Sequence, residues 1–339
     1  MDSLSQLVLG AAVAAAVVPA HHRRRALLAG AVLGTLPDLD VVPLNLLVED
    51  PVARAVWHRG ASHSLFVLPF VGALLWALLR RIWTPVREAP RAWFVAVQLA
   101  FVTHVLLDAL TIYGTQLFWS LPTPPVMVGS VFIIDPLYTL WLVVAVVVAW
   151  WRGERPAARR WLLVGLFLST AYLGWSLVAK SLVERETRRA LVELGHGDAP
   201  HFSVPTPLNT LLWRVVALVP GGYVEGTYSL AAPGDRLVFE SHTSDTQALL
   251  AASNLTAVRR LQWWNRGFLR AEVQGDRLVL SDLRMGAHPD FIFRFEVAER
   301  TDAGWTAVPP VQLPWPSDSF ADAGALWGRI WTAAAVPVR

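Results

Sequence analysis

Four apolar runs in the first half of the chain are the feature that most limits its fold. They cover residues 64–79, 92–113, 136–151 and 161–179. Each is about as long as a bilayer-spanning helix, which needs about 20 apolar residues. A lipid-exposed segment must pair its own backbone N–H and C=O groups, so such runs predict helices. The first half is therefore predicted to be a helical membrane domain.

Two further apolar runs, at residues 4–20 and 26–36, bring the predicted total to about four to six helices. The first could be a signal peptide, but no basic residue precedes it and Asp2 lies at its start. We therefore interpret it as a retained helix. The second is too short to span alone and is predicted to be a re-entrant or half-buried segment.

The charge distribution separates the two halves of the chain. With 54% hydrophobic and 16% charged residues, the chain is too apolar for an ordinary soluble protein. Residues 1–180 contain 14 Lys and Arg against 9 Asp and Glu, whereas residues 181–339 contain 15 against 17. The basic excess belongs to the apolar half, which indicates membrane topology and argues against a nucleic-acid partner. The absence of cysteine excludes disulfides and thiolate metal sites.

Three arginine-rich loops predict the orientation of the membrane domain. They hold 11 of the 14 basic residues of this half, at positions 23–25, 80–91 and 152–160. The positive-inside rule places these loops in the cytoplasm. Residues 37–63, residues 114–130 and everything after residue 180 are then predicted to lie on the outer side.

Residues 181–339 are predicted to form a small soluble α+β domain with an antiparallel sheet. Helical patterns cover residues 181–194, which end before Gly195, and residues 244–262. Strand patterns cover residues 211–219, 223–230, 268–273, 277–283 and 291–297. The predicted domains are thus a membrane domain at 1–180 and an α+β domain at 181–339.

His104 and Asp108 form the most informative polar pair, because they lie within an apolar predicted helix. A spacing of four residues puts both side chains on one helix face. An ionisable residue at membrane depth is costly and usually functional. Imidazole and carboxylate are also common metal ligands. The alternative is a buried hydrogen bond that only holds helices together.

Further polar motifs interrupt the apolar half. They contain Asp38 and Asp40 after a proline, the run His58, Arg59, Ser62, His63 and Ser64, then Gln116, and Asp135 before Pro136. The structural alternatives are Asx turns, solvated histidines, an interfacial aromatic belt and a helix N-cap, respectively. The predicted topology brings the imidazoles and carboxylates of these motifs to the same outer layer as His104 and Asp108. They are enough for one divalent metal or a close pair.

These motifs resemble the YdjM-type family of bacterial inner-membrane proteins, which is described as metal-dependent hydrolases. The resemblance covers roughly residues 1–150 and rests on segments 1–6, 34–40, 58–64, 104–108, 113–116 and 134–136. Segments 204–213 and 223–229 are similar to a soluble extension of one subgroup. The His-x-x-x-Asp element is also similar to that of zinc phospholipase C enzymes, which is only an analogy.

Two positions differ from the family pattern. Gln6 stands where many relatives have histidine, and an amide is a poorer zinc ligand than imidazole, so Gln6 is predicted to support a ligand or act through water. Ser62 stands where relatives tend to have threonine, which keeps the hydroxyl.

The residues and the resemblance together predict a divalent-metal site, with zinc preferred and manganese or magnesium as alternatives. Asp38 and Asp40 are expected to be further ligands or the general base, and Arg59 is suited to bind an oxyanion or phosphate. The predicted ligands are His58, His63, His104, Asp108, Asp38 and Asp40, and the predicted supporting residues are Gln6, Ser62, Ser64, Gln116 and Asp135.

The function predicted first is a multi-pass, membrane-bound metal-dependent hydrolase of the bacterial inner membrane. Its substrate is expected to be a phosphoester or lipid-linked molecule at the outer leaflet, with residues 181–339 in the periplasm. The alternative is a non-catalytic anchor that presents residues 181–339 to an envelope partner, with a structural polar or metal cluster. A transporter is disfavoured because the carboxylates collect on one side of the predicted membrane domain.

Overall fold

The computed structural model describes residues 1–315 and 323–334. The chain divides into two compact units. The first combines Met1–Leu44 with His58–Ser176, and the second combines Asn45–Trp57 with Leu177–Arg339.

The predicted arrangement of an apolar helical half followed by an antiparallel-sheet half is confirmed. In the described residues, the α-helices are α1 (Ser3–Val17), α2 (Arg23–Thr35), α3 (Val41–Leu47), α4 (Pro51–Trp57), α5 (Leu68–Ile82), α6 (Thr84–Glu88), α7 (Pro90–Ala109), α8 (Pro136–Arg152), α9 (Pro156–Glu193), α10 (Thr246–Ala251), α11 (Thr256–Asn265) and α12 (Ala323–Arg329). Short 3-10 turns lie at Ala20–His22, Leu36–Asp40 and Ala61–His63.

Three helical stretches of the described chain are long and apolar enough to cross a membrane, or four if one bent pair counts as a single span. They include Ala20–Leu47, Pro90–Ala109 and Pro156–Glu193. The run at 26–36, predicted to be too short to span, lies inside the first of these because 3-10 turns continue the helix at both ends. The helices α1 and α8 are shorter, with 15 and 17 residues.

Helices α1 and α2 pack closely at the centre of the first unit. A Cβ atom added at Gly10 would lie 2.2 Å from the carbonyl oxygen of Gly30, and one added at Gly34 would lie 2.3 Å from that of Gln6. Only glycine permits backbones to approach this closely. The same helix α1 contacts α7 and α8. This packing brings the start of α1 and the end of α2 to the C-terminal half of α7.

The described residues of the second unit form two four-stranded antiparallel sheets. Their strand orders are β1-β2-β3-β4 and β10-β9-β6-β5, with a small β7-β8 pair. The strands are β1 (His201–Pro205), β2 (Leu212–Val219), β3 (Gly222–Ser229), β4 (Val238–Thr243), β5 (Leu269–Gln274), β6 (Arg277–Asp282), β7 (Gly286–Ala287), β8 (Asp290–Phe291), β9 (Arg294–Thr301) and β10 (Gly304–Gln312). The strands predicted at 211–219 and 223–230, and those predicted at 268–273 and 277–283, are confirmed and form the hairpins β2-β3 and β5-β6.

Two elements differ from the sequence interpretation. The runs at 161–179 and 181–194 belong to one 38-residue helix, α9, because no glycine or proline interrupts them near Lys180. The helix α4 was expected to be part of an outer loop, but it packs against α11 and β10. Within this unit Val52 is fully buried, and Arg260 donates to Asp50 over 2.9 Å.

Candidate metal centre

Four side chains from three separate segments meet in the first unit. Asp38 lies in the 3-10 turn after α2, His63 ends the turn at Ala61–His63, and His104 and Asp108 lie one helical turn apart on α7. One ligand atom from each lies within 4.8 Å of the others. His63, His104 and Asp108 are buried, whereas Asp38 is partly accessible. This group could hold a metal ion.

The four ligand atoms lie close together around one point. The Nε2 atoms of His63 and His104 are 3.1 Å apart. The Oδ2 atom of Asp108 is 3.1 Å from Nε2 of His63 and 3.4 Å from Nε2 of His104. The Oδ1 atom of Asp38 is 3.3 Å and 3.6 Å from the same two nitrogens. The centre thus offers two nitrogens and two carboxylate oxygens.

The outer ring nitrogens of both histidines indicate which tautomer is present. Nδ1 of His104 lies 2.6 Å from the carbonyl oxygen of Gly34, which can only accept, so this nitrogen carries the proton. Nδ1 of His63 lies 2.9 Å from Oγ of Ser62, whose hydroxyl donates to Asp40. The Ser62 oxygen therefore accepts from His63. In neutral rings both Nε2 atoms then present lone pairs to the centre, the usual arrangement of metal-ligating histidine.

With both rings neutral in these tautomers, neither imidazole supplies a donor to the facing atoms. Among the described residues, the buried Oδ1 atom of Asp38 has no hydrogen-bond partner. Four acceptors facing one another repel unless a cation or a proton lies between them. A buried acceptor without a partner is itself a sign of an absent ligand. The residues therefore fit a divalent cation bound by nitrogen and oxygen donors.

Charged and polar groups surround Asp108. Gln6 donates to its Oδ1 over 3.0 Å, the Met1 α-amino group contacts the same oxygen, and Nε of Arg59 lies 3.4 Å from Oδ2. The Arg59 guanidinium is buried, donates to Thr111 over 3.2 Å and stacks 5.0 Å above the ring of Tyr113. Gln6 and Arg59 therefore position a candidate ligand.

His58 and Asp40 form a separate pair beside the group of four. Nδ1 of His58 donates to Asp40 over 2.7 Å, and Asp40 also accepts from the backbone N–H of Arg59 over 3.0 Å. The ring of His58 lies 6.1 Å from that of His63 and packs edge-on against Tyr113. Of the six predicted ligands, the structure thus collects four in one group and joins the other two by a hydrogen bond.

The other predicted supporting residues lie at varying distances from the centre. The Ser64 hydroxyl donates to the carbonyl oxygen of Trp119 over 2.5 Å. The backbone N–H of Gln116 donates to the carbonyl oxygen of Arg59 over 3.0 Å. Asp135 accepts from the first backbone N–H groups of α8 and from Tyr172. Asp135 thus has the N-cap role that the sequence left open.

A second group with ligand-type side chains fails the same tautomer test. His21, His22 and Glu88 have ligand atoms within 4.8 Å of one another. However, Nε1 of Trp93 donates to Nδ1 of His22 over 3.3 Å, so Nε2 of His22 must hold the ring proton. That proton is donated to Glu88 over 2.8 Å, which lowers the pKa of Glu88. This group is therefore a hydrogen-bonded pair with a neighbouring histidine.

Sequence reasoning missed two contacts of the centre. These are the Gly34 carbonyl and the Met1 α-amino group. Both are main-chain groups, which have no residue signature in the sequence.

Comparisons with known proteins identify a family that covers the first half of the chain. The family described as YdjM inner membrane protein matches residues 1–183, which contain all four candidate ligands. The uncharacterized protein YfhP of Bacillus subtilis is 24% identical over 233 residues, covering 67% of this chain and 68% of YfhP.

Two Escherichia coli proteins are more similar over shorter stretches. Inner membrane protein YdjM is 35% identical over 96 residues, covering 25% of this chain and 43% of YdjM. Inner membrane protein YbcI is 35% identical over 117 residues, covering 34% of this chain and 62% of YbcI. The matches thus span less than two thirds of either relative. No solved structure shows a significant match.

Proposed function

The chain belongs to the family of YdjM inner membrane proteins, and we propose from its candidate metal centre that it is a membrane-bound metal-dependent hydrolase. Family membership and the apolar helices support an inner-membrane location. Asp38, His63, His104 and Asp108 would hold the cation. The observation that carries this proposal is the meeting of two imidazole Nε2 atoms and two carboxylate oxygens within 4.8 Å, with Oδ1 of Asp38 buried and without a hydrogen-bond partner among the described residues. Zinc is the first choice, with manganese and magnesium as alternatives.

His58 is the side chain best placed to move a proton. A divalent cation, when bound, polarises the scissile group and lowers the pKa of a nearby water. Because Nδ1 of His58 donates to Asp40, its Nε2 presents a lone pair that can take the proton of an attacking water. Asp40 would hold the ring in this tautomer and stabilise the imidazolium that forms, as in a His–Asp dyad. Asp38 then serves as a ligand rather than as the base.

Arg59 would oppose the negative charge that develops during hydrolysis. Its guanidinium is buried beside Asp108, and its Nε atom has no hydrogen-bond partner. A planar guanidinium matches phosphate oxygens, and burial strengthens the interaction. We therefore favour a phosphoester, carried by a lipid-linked substrate. The arginine-rich loops favour a site at the outer leaflet of a multi-pass membrane domain, with the second unit in the periplasm.

The test of this function is phosphate release by the detergent-purified full-length protein. The substrates are phosphatidate and a polyprenyl monophosphate, assayed after chelation and after addition of zinc, manganese or magnesium. We expect turnover only with metal. We expect His58→Gln to retain metal but lose about 10²–10⁴-fold in kcat, the usual contribution of a general base. The control is His22→Gln, which alters a histidine outside the centre.

Two outcomes would contradict the proposal. One is a metal-loaded, folded protein that hydrolyses neither substrate class. The other is turnover that persists at the wild-type rate in His58→Gln and in Asp38→Asn, because these variants remove the proposed base and a proposed ligand.

A non-catalytic anchor is the second candidate, and the burial of the centre favours it. Three of the four ligands are fully buried, and structural metal sites are typically closed, whereas catalytic sites keep an open position. In that case chelation should lower the unfolding temperature, and His58→Gln should change neither metal content nor any activity. The residual exposure of Asp38, about 21% for its side chain, is the observation that favours the hydrolase.

A further inference from the structure

A cavity of about 400 Å³ opens at the end of the first unit that is opposite the candidate metal centre. It lies between the α1–α2 turn and the α8–α9 turn, and its lining includes His21, Arg24, Trp151, Arg152, Glu154 and Arg155. Helix α1 separates the two sites. Its residue Gln6 touches Asp108, and the carbonyl oxygen of Ala16 accepts from Arg159 near the cavity. Gln6 and Ala16 are ten residues apart on this helix, so the two contacts lie about 15 Å apart along it.

Two arginines of the α1–α2 region bind carbonyl groups at the end of α8 and in the α8–α9 turn. Arg23 is buried and donates to the carbonyl oxygen of Gly153 over 2.7 Å and to that of Arg155 over 3.3 Å. Arg24 donates to the carbonyl oxygen of Trp150 over 3.0 Å and lies 5.9 Å from the centre of its ring. These bonds satisfy carbonyl groups at the end of α8 and connect the two turns.

The guanidinium groups of Arg152 and Arg155 do not bind backbone carbonyl groups as Arg23 and Arg24 do. Both side chains are exposed, and within residues 1–315 and 323–334 neither makes a hydrogen bond or an ion pair. Glu154 is the one acidic residue among those that line the cavity. The cavity therefore has a net positive charge and two guanidinium groups that lack an anion. Arginine presents paired N–H donors that match the oxygens of a phosphate group.

The surroundings of the cavity indicate the level of lipid headgroups. Trp150 and Trp151 end the apolar helix α8 and are exposed, and Trp161 is exposed near the start of α9. Tryptophan beside arginine at the ends of apolar helices is typical of a membrane–water interface. Basic pockets between membrane helices on the cytoplasmic side are recognised sites for anionic headgroups. The predicted orientation puts the two arginine-rich turns on that side.

We propose that this cavity binds a phosphate group through Arg152 and Arg155. The phosphate comes either from the headgroup of an anionic phospholipid or from a free phosphate ion, and both offer the same oxygens to the guanidinium groups. This inference is independent of the proposed hydrolysis, because the cavity shares no residue with the candidate metal centre.

The experiment uses delipidated full-length protein in neutral detergent. Native mass spectrometry measures the binding of phosphatidylglycerol and of phosphatidylcholine, and thermal unfolding measures the effect of inorganic phosphate. The test variant combines Arg152→Gln with Arg155→Gln. The matched control combines Arg80→Gln with Arg81→Gln, which removes the same charge at the end of α5. Size exclusion and metal content establish that both variants are folded.

We expect the wild type and the control to bind phosphatidylglycerol more tightly than phosphatidylcholine. The test variant should lose about tenfold or more in that affinity, since each hydrogen bond to a charged group contributes substantially. If inorganic phosphate alone raises the unfolding temperature of the wild type and the control but not of the test variant, the source is free phosphate. The proposal is overturned if neither phosphate source binds in preference to phosphatidylcholine, or if both double variants lose binding equally.

Discussion

Single hydrogen bonds on the outer nitrogens of histidine rings decide which polar group can bind a metal. His104 donates to a carbonyl and His63 to a hydroxyl, so in both neutral rings the inner nitrogen is unprotonated. His22 accepts from Trp93, so its other nitrogen is protonated. Both groups combine histidines with carboxylates whose ligand atoms lie within 4.8 Å of one another. In the first group the inner ring nitrogens are unprotonated, as metal binding requires, whereas the Nε2 atom of His22 is protonated.

Removal of the Ser62 hydroxyl tests this argument. Ser62→Ala deletes the acceptor for Nδ1 of His63 and a donor to Asp40. We expect metal affinity to fall by about 10–100-fold, the usual effect of losing such a support. Competition with a chelating dye measures the affinity. Ser62→Thr keeps the hydroxyl and should bind as the wild type does, and equal affinity of the alanine variant would refute the assigned tautomer.

The sequence predicts the residues of the centre better than their roles. The spacing of His104 and Asp108 puts them on one helix face, and their contact was predictable. His58 and His63 were equivalent in the sequence because both belong to one polar loop. Only the folded loop shows that His63 turns toward Asp108 while His58 turns toward Asp40.

At the scale of elements, the close approach of α1 and α2 positions the centre. The C-terminal end of α2 supplies the carbonyl oxygen that fixes His104. Gly30→Ala would place a Cβ atom 2.3 Å from the carbonyl oxygen of Gly10, so the helices must move apart. We expect a loss of about 1–3 kcal/mol in stability, as for other overpacked cores, and weaker metal binding.

A matched substitution provides the control for this prediction. Gly174→Ala, in the apolar helix α9, meets no atom within 4 Å. Thermal unfolding in detergent should therefore separate the two variants. Similar unfolding temperatures for both would show that the close contact of α1 and α2 is not required.

A hydrogen-bonded histidine predicts a pH-dependent stability in the second unit. Nε2 of His201 lies 3.0 Å from Glu184, and this hydrogen bond raises the pKa of His201 above its usual value. The protonated ring thus favours the folded state. The stabilisation is fully present below the unfolded-state pKa of about 6.5 and is lost as the pH rises through the raised folded-state pKa.

The corresponding variant is His201→Gln. We expect it to lower the unfolding temperature more at about pH 5.5 than at about pH 9. His288→Gln should show the opposite trend, because burial and the neighbouring His242 lower the pKa of His288. A loss that does not depend on pH in His201→Gln would contradict the assignment.

The elements were predictable where the local pattern decides them. Periodic apolar runs indicated the helices, and turn residues indicated the hairpins β2-β3 and β5-β6. The strand β10 gave no clear pattern because it contains Pro309 and Pro310. These two prolines are tolerated because β10 is the edge strand of its sheet and a bulge interrupts its pairing with β9 there.

At the scale of the whole chain, the division into units does not follow the sequence order. Residues 45–57 precede most of the membrane helices, yet they belong to the second unit. Composition separates an apolar half from a polar half, but it contains no information on such long-range packing. The buried Val52 of α4 gives no local signal that distinguishes it from an apolar residue in a loop.

A charge introduced at Val52 tests this assignment. Val52→Asp would bury an unpaired carboxylate in the second unit, and such a change costs several kcal/mol. We expect loss of the sheet signal in circular dichroism at a lower temperature than for the wild type. Val192→Asp, at a residue of the same unit that is 67% exposed, is the control. Equal unfolding of the two variants would contradict the packing of α4.

The central claim is that one buried group of four side chains binds a divalent cation. The most direct test is metal analysis by mass spectrometry on the detergent-purified wild type, His63→Ala and the control His22→Ala, each shown to be folded by size exclusion. The account predicts near-stoichiometric zinc or another divalent ion in the wild type and the control, and its loss in His63→Ala. A folded wild type that holds no metal and takes up none when supplied, or His63→Ala with unchanged metal content, would contradict it.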